Sequence, residues 1–175
     1  EIGDNAFRNC SNLAQVTILS QRLTKIGSSA FELCYALTSV TIPDSVTTIG
    51  ISAFDSCSNL SSIELPNGVT TIGNSAFAGC SNLSSITIPK SVTSIDDAAF
   101  TYCQNLHTVI IENPATTISS NAFSNCTSIT SFTFLDWPAS SISVLTNYPW
   151  GVDNLSVFKT WNDASQEWVK DQNYG

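Results

Sequence analysis

The sequence predicts an α/β solenoid, a stack of short coils whose strands form a parallel β-sheet with short helices on the opposite side. Two observations predict it. The cysteines are separated by 24, 23, 23, 23 and 23 residues, and a fixed period of about 20 to 50 residues is typical of stacked repeats. A phenylalanine also precedes every cysteine by three positions. The cysteines are Cys10, Cys34, Cys57, Cys80, Cys103 and Cys126, and the phenylalanines are Phe7, Phe31, Phe54, Phe77, Phe100 and Phe123.

One repeat, residues 37–57, contains three local signals in order. The alternation of Val40 and Ile42 predicts a short strand with one buried face, and Pro43 ends it because proline has no N–H to donate to a neighbouring strand. A second extended piece follows and ends at Gly50, which we expect to permit the next turn. Phe54 and the cysteine after it are spaced as on one turn of helix, which predicts a short helix opposite the sheet.

Stacking of the coils follows from energetics. One coil of about 23 residues buries too few apolar side chains to offset the cost of ordering its backbone, so repeats of this kind are stable only as arrays. Strands of successive coils then lie about 4.8 Å apart in a parallel sheet. We expect residues 1–135 to form about five to six coils. The abrupt start without Met suggests that coils are missing at the N-terminus.

The cysteines are predicted to be a ladder of buried, reduced thiols. Six cysteines allow 15 disulfide pairings, but identical positions in stacked coils have parallel Cβ vectors that point into the core, which is unsuitable for a disulfide. A single histidine, His107, and the lack of any CxxC pair also disfavour metal binding. No metal or cofactor is predicted.

Composition excludes several classes of function. Fourteen acidic and six basic residues give a net charge of −8, which disfavours nucleic acid and anionic membranes as partners because both require clustered Lys and Arg. No apolar run approaches the roughly 18 residues that would span a bilayer. No Ser-His-Asp or Cys-His set can be assembled, so the sequence predicts a protein that is not an enzyme.

The pattern IGxxAFxxCxxLxxVxIPxSVTxIG resembles the leucine-rich repeat of the BspA-like, or Treponema pallidum, type, and the resemblance covers residues 1 to about 135. It implies a curved solenoid with the parallel sheet on its concave face. It also implies a bacterial or protist surface protein with a role in adhesion to host proteins or cells.

The outward positions of the predicted strands are candidate ligand-binding residues, because solenoids commonly bind on the concave side. The alternative is a solvated sheet face on which Ser and Thr simply suit β structure. Regular threonines also raise the hypothesis of ice binding, which Glu64 and the expected curvature disfavour. The candidates are Ser39, Thr41, Ser62, Glu64, Ser85, Thr87, Thr108, Ile110, Ser131 and Thr133.

The repeat ends near residue 136, and residues 136–175 contain all four tryptophans. The spacing of Leu155, Phe158 and Trp161 predicts one short helix, and a second is predicted from about Asp163 to Asp171. We expect this segment to cap the apolar end of the solenoid. It also resembles the ending of repeat proteins encoded by phages and prophages of gut bacteria.

The sequence therefore predicts a binding or adhesion module outside the cell that recognises a protein or glycan on a cell surface. The alternative is a phage virion or tail-associated recognition protein. In either case the chain could join other modules of a longer chain or of a virion.

Overall fold

The chain winds into a parallel β-solenoid, which confirms the fold predicted from the repeat. The computed structural model describes residues 1–135 and the backbone of two further strands, residues 158–162 and 167–170. The coils are numbered here by their phenylalanines. Coils one to six contain, in order, Phe7, Phe31, Phe54, Phe77, Phe100 and Phe123.

Most coils contain one longer strand and one strand of two residues. The longer strands are β1 (Gln15–Thr17), β3 (Ser39–Thr41), β6 (Ser85–Ile88), β8 (Thr108–Ile111) and β10 (Ser131–Phe134). The two-residue strands are β2 (Lys25–Ile26), β4 (Thr48–Ile49), β5 (Thr71–Ile72), β7 (Ser94–Ile95) and β9 (Thr117–Ile118). Two final strands are β11 (Phe158–Asn162) and β12 (Glu167–Lys170).

The two-residue strands form a continuous parallel ladder, called here the second ladder, in the order β2-β4-β5-β7-β9. Their isoleucines point inward and are buried, whereas the preceding residues face outward. Thr48, for example, lies beside Thr71, and Ile49 lies beside Ile72. The second ladder therefore connects coils one to five without interruption.

The longer strands form two separate sheets. β1 pairs with β3, and the other strands form a five-stranded sheet in the order β6-β8-β10-β11-β12. The pairs among β6, β8 and β10 are parallel and in register, as the repeat predicts. The outward side of β1, β3, β6, β8 and β10, together with residues 62–65 of coil three, is called here the strand face.

The segment opposite the strand face is a series of turns, and the short helices predicted there do not form among the described residues. In coil three, the amides of Asp55 and Cys57 donate to carbonyls three residues back, whereas those of Phe54 and Ser56 donate to carbonyls of coil four. Ser52 and Ser56 have positive φ angles of 51° and 60°. Left-handed residues at this spacing prevent a right-handed helix from propagating.

Gly50 is required for close approach between coils, and not for the turn that the sequence suggested. A Cβ atom added to Gly50 would lie 2.7 Å from the backbone nitrogen of Ser28 and 2.8 Å from the carbonyl carbon of Gly27. Its φ lies outside the left-handed range. The small residue therefore allows the backbones of coils two and three to touch.

The core is organised by a column of stacked phenylalanine rings. Five successive ring pairs have centroids 5.2 or 5.3 Å apart and planes within 8° of parallel. From Phe31 to Phe123 these side chains are fully buried, whereas Phe7 in coil one is 41% exposed. The column ends where Phe132 of β10 meets Phe123 edge-on.

The six thiols are free, and five of them are buried in a second column beside the rings. Each buried Sγ donates a hydrogen bond to a phenylalanine carbonyl of the preceding coil, for example Cys57 to Phe31 at 3.2 Å and Cys80 to Phe54 at 3.2 Å. Burial raises the pKa of Cys57 to about 12. These thiols act as small apolar side chains with one weak donor.

The C-terminal segment contains strands where the sequence predicted helices. β11 pairs in parallel with β10, and β12 pairs antiparallel with β11. The prediction of helices around Leu155–Trp161 and from Asp163 to Asp171 is therefore wrong for residues 158–162 and 167–170. An apolar spacing suited to a helix was overridden by the open edge of β10, which offers backbone partners to a segment rich in aromatic and β-branched residues. The remainder of the predicted cap lies outside the described residues.

Candidate functional site

The strand face carries the residues that the sequence singled out, and none of them is buried. In the larger sheet they form two columns along the stack, Ser85–Thr108–Ser131 and Thr87–Ile110–Thr133. In the smaller sheet Ser39 and Thr41 extend columns that begin at Gln15 and Thr17. Because neighbouring strands are in register, hydroxyl groups recur at one strand spacing along the Ser85–Thr108–Ser131 column, whereas Ile110 interrupts the other.

Coil three interrupts this face. Residues 62–65 keep the inward and outward alternation of a strand, with Ile63 8% exposed, but they pair with neither β3 nor β6. In coil four, the amide of Ser84 donates to the carbonyl of Ser61. Among the described backbone hydrogen bonds, the corresponding amides of Asn59 and Ser61 make none to coil two. Residues 62–65 therefore form no strand ladder with either neighbouring coil, although Ser61 directly before them is bonded to coil four.

The opening is confined to one side of the stack. The Phe31–Phe54 and Phe54–Phe77 rings remain 5.2 and 5.3 Å apart. The second ladder continues from β4 through β5 to β7. Coil three is thus held by its ring column and its second ladder, while its strand segment is released from both neighbours.

The local sequence accounts for this release. Coils two and four have Thr-Ile at the end of their strands, whereas coil three has Glu64 and Leu65. Both replacements lower β propensity at positions where coils one, two, four and five have β-branched residues. Gly68 follows, and a Cβ atom there would lie 2.8 Å from the carbonyl oxygen of Asp44. Close contact with coil two is thus regained just after the strand segment.

Two grooves flank the released segment. The smaller, of about 270 Å³, lies toward coil two and is lined by residues of β3 and by Ser62, Ile63 and Glu64. The larger, of about 410 Å³, lies toward coil four. Its lining residues are Ser62, Ile63, Glu64, Leu65, Asn67, Ser85, Thr87, Pro89 and Glu112.

The larger groove is anionic. Glu64 is exposed and Glu112 is half-buried, and both line the groove. Among the described residues, no Lys, Arg or His lines it. Sequence analysis identified Glu64 but missed Glu112 and Asn67. Glu112 directly follows β8, but only the stacking of coils three to five brings it near coil three, so no local signal marked it.

The threonines directly before β4, β5 and β7 have hydroxyl groups that are already engaged. The side chains of Thr47, Thr70 and Thr93 each donate to the backbone carbonyl of a threonine in the preceding coil at 3.2 to 3.4 Å. These hydroxyls satisfy carbonyl groups between coils. These three hydroxyl groups therefore link successive coils.

Among the described residues, the other titratable side chains do not come together in a second cluster. His107 is exposed immediately before β8. Burial raises the pKa of Cys34 and Cys80, and thiols of this kind are poor nucleophiles because the thiolate is disfavoured. Across the part of the chain that the structure describes, no three His, Cys, Asp or Glu side chains are close enough together to hold a metal ion. Nor does any described helix have the length and apolarity needed to cross a membrane.

Comparison with protein families gives a match over most of the chain. A family model described as the BspA type leucine rich repeat region matches in six copies over residues 1–107 and 24–148. No match was found among curated proteins.

Solved structures share the architecture. A leucine rich cell surface protein from Faecalibacterium prausnitzii A2-165 is 36% identical over 77% of this chain, with a TM-score of 0.71. The chain spans 35% of that protein. A leucine rich repeat protein from T. pallidum is 23% identical, with 88% of this chain and 72% of that chain covered and a TM-score of 0.69. One from Bacteroides ovatus is 21% identical, with 86% and 57% covered and a TM-score of 0.51. The last two likenesses concern the fold alone.

Proposed function

Since the chain belongs to the BspA-type leucine-rich repeat family, we propose that it is a non-enzymatic, protein-binding adhesion module outside the cell that contacts its partner through the strand face. The observation that carries this proposal is the strand face itself. Its outward columns consist mainly of small hydroxyl side chains that leave the sheet accessible. A surface of this kind lets a partner approach closely and make many hydrogen bonds.

The extracellular location is supported by the similar protein from Faecalibacterium prausnitzii, which is described as a cell surface protein. This chain corresponds to about a third of that protein, so the proposal concerns the repeat region. Apart from Glu64 and Glu112, the described part of the strand face carries uncharged side chains, which fits contact mainly by shape and hydrogen bonding. The phage alternative depends on the C-terminal segment, most of which lies outside the described residues.

The proposal is tested by binding of the fluorescent full chain to cultured human epithelial cells, before and after mild protease treatment of the cells. We expect saturable binding that protease treatment removes. The double variant Thr108→Arg/Ser131→Arg places two long charged side chains on the strand face and should reduce binding by at least about tenfold, since bulky mismatched charges block close contact.

The matched control is Thr48→Arg/Thr71→Arg, which makes the same change on the second ladder. It should bind as the unmodified chain does. Equal loss in both variants would contradict the assignment to the strand face. Absence of protease-sensitive binding by the unmodified chain would contradict the adhesion role.

A further inference from the structure

The interruption at coil three gives the strand face a feature that a regular leucine-rich solenoid lacks. Elsewhere on this side, each strand of β6, β8 and β10 is paired with its neighbour. At coil three, the edge of β6, the edge of β3 and the segment of residues 62–65 have no ladder partner. Because residues 62–65 lie between the edges of β3 and β6, a partner contacts the outward side of this segment and does not add a strand to the sheet.

The larger groove lies beside this unpaired backbone. Ser62, Glu64 and Leu65 line one side, and Ser85 and Thr87 of β6 line the other. The floor includes the largely buried Ile63, which is 8% exposed. The groove therefore combines an apolar base, hydroxyl groups along both walls and backbone groups that the ladder does not use.

The negative charge of the larger groove favours a positively charged ligand. Glu64 and Glu112 both line it, and no described Lys, Arg or His does. A multidentate metal site is not favoured because the described residues bring no three ligand-type side chains together. An ammonium or guanidinium group, by contrast, carries several N–H donors that suit carboxylates and hydroxyl oxygens together.

We propose that the larger groove at coil three binds an extended segment of a protein partner that carries Lys or Arg side chains, lying along the outward side of residues 62–65 with its basic groups between Glu64 and Glu112. This proposal rests on the proposed function, because the groove is part of the strand face. It adds the chemistry of the partner. In an extended segment alternate side chains share one face, so two basic residues separated by one position both reach the groove.

The probe is the peptide acetyl-TVKVRVT-amide, with acetyl-TVQVQVT-amide as its neutral counterpart. Each is titrated into the isotope-labelled full chain while backbone amide chemical shifts are followed by NMR. The basic peptide should shift the amides of residues 62–65 and 85–88, and the neutral peptide should bind at least about tenfold more weakly. Raising the salt concentration should weaken binding of the basic peptide alone.

The double variant Glu64→Gln/Glu112→Gln removes both groove charges with little change in shape. It should weaken binding of the basic peptide by at least about tenfold, since two charge-assisted hydrogen bonds are lost. The matched control, Asp44→Asn/Asp96→Asn, removes two carboxylates that do not line the groove and should bind as the unmodified chain does. Equal binding of both peptides, equal effects of the two double variants, or shifts confined to other coils would overturn the proposal. Shifts of the groove amides by calcium chloride without any response to the basic peptide would also overturn it.

The cell-binding assay separates this proposal from the proposed function. Protease-sensitive cell binding that persists unchanged in Glu64→Gln/Glu112→Gln would overturn the groove as the partner site while leaving the adhesion role intact. A charge-dependent peptide response in a chain that binds no cells would instead support the groove and contradict the adhesion role.

Discussion

In coils one to five, two residues of each turn segment adopt left-handed backbone conformations, and this decides the shape of that segment. In coils two to five, the first of these positions is occupied by Ser29, Ser52, Ser75 and Ala98, with φ between 51° and 54°. The second position lies four residues later and is occupied by Leu33, Ser56, Gly79 and Tyr102, with φ 67° at Gly79. Most of these positions are occupied by residues other than glycine, so the stacked neighbours must compensate for local strain.

The first prediction concerns this strain. Gly79→Ala should lower the free energy of unfolding by about 1 to 2 kcal/mol, because a Cβ is disfavoured at positive φ. Ala98→Gly should raise it by roughly 0.5 to 1 kcal/mol, since relief of strain exceeds the added freedom of the unfolded chain. Both values can be measured by urea denaturation. A stabilising Gly79→Ala variant would contradict the prediction.

The buried thiols predict a loss of stability at alkaline pH. In the unfolded chain a thiol ionises near pH 8.5, whereas burial raises the pKa of Cys57 to about 12 in the folded chain. Above about pH 8.5 the unfolded state alone releases this proton, so the free energy of unfolding falls with pH by about 1.4 kcal/mol per unit for each such thiol. Cys57→Ala should make the fall shallower by that amount.

The control for the alkaline prediction is Ser61→Ala. Ser61 is exposed in coil three and carries no thiol, so its replacement should leave the slope of stability against pH unchanged. Denaturation curves at pH 8, 9 and 10 under reducing conditions give both slopes. Identical slopes for Cys57→Ala and the unmodified chain would show that Cys57 ionises equally in both states.

At the scale of the elements, close approach between coils depends on a glycine at the end of the second ladder. Gly50→Ala should destabilise the chain by about 2 kcal/mol or more, because the new Cβ would meet backbone atoms at 2.7 and 2.8 Å that cannot move independently. Gly3→Ala is the matched control, since a Cβ there meets nothing within 4 Å. Similar melting temperatures for the two variants would contradict this account.

The strands were predictable because their signal is local. Val40, Ile42 and Pro43 specify a short strand, its buried side and its end within four residues, and β3 forms at that place. The turn segment was harder, because Phe54 and Cys57 have the same spacing in a helix as in the observed turns. Whether this segment forms a helix or turns depends on alternate backbone amides that donate to carbonyls of the next coil. The sequence of one repeat does not reveal these hydrogen bonds between coils.

The candidate site was predictable only in part. The outward positions of β6 and β8 follow from alternation, and Glu64 was visible as an exception to the Ser and Thr columns. The groove was not predictable, because it requires the failure of residues 62–65 to pair and the placement of Glu112 across it. Likewise, β11 forms against the edge of β10, a long-range partner that the spacing of apolar residues in the segment does not encode.

For the whole molecule, near-identical contacts between successive coils predict tolerance to removal of one full period. Deletion of residues 74–96 removes 23 residues and should give a folded, less stable solenoid in which Phe54 stacks on Phe100. Deletion of residues 75–96 removes one residue fewer and should abolish cooperative unfolding, because it shifts every inward side chain. Circular dichroism and thermal melting distinguish the two results.

The open strand side of coil three also has a mechanical consequence. Between coils two and three, the described contacts include the stacked rings, the turn-face hydrogen bonds, the bond from Cys57 to Phe31, the second ladder and the close approach of Gly68 to Asp44, but no strand ladder. Under tension along the stack, force on this side is not shared by a strand ladder, so the coils should separate there first by pivoting about the turn face. A chain pulled from both ends would thus yield at one defined joint, and that joint adjoins the groove proposed to hold its partner.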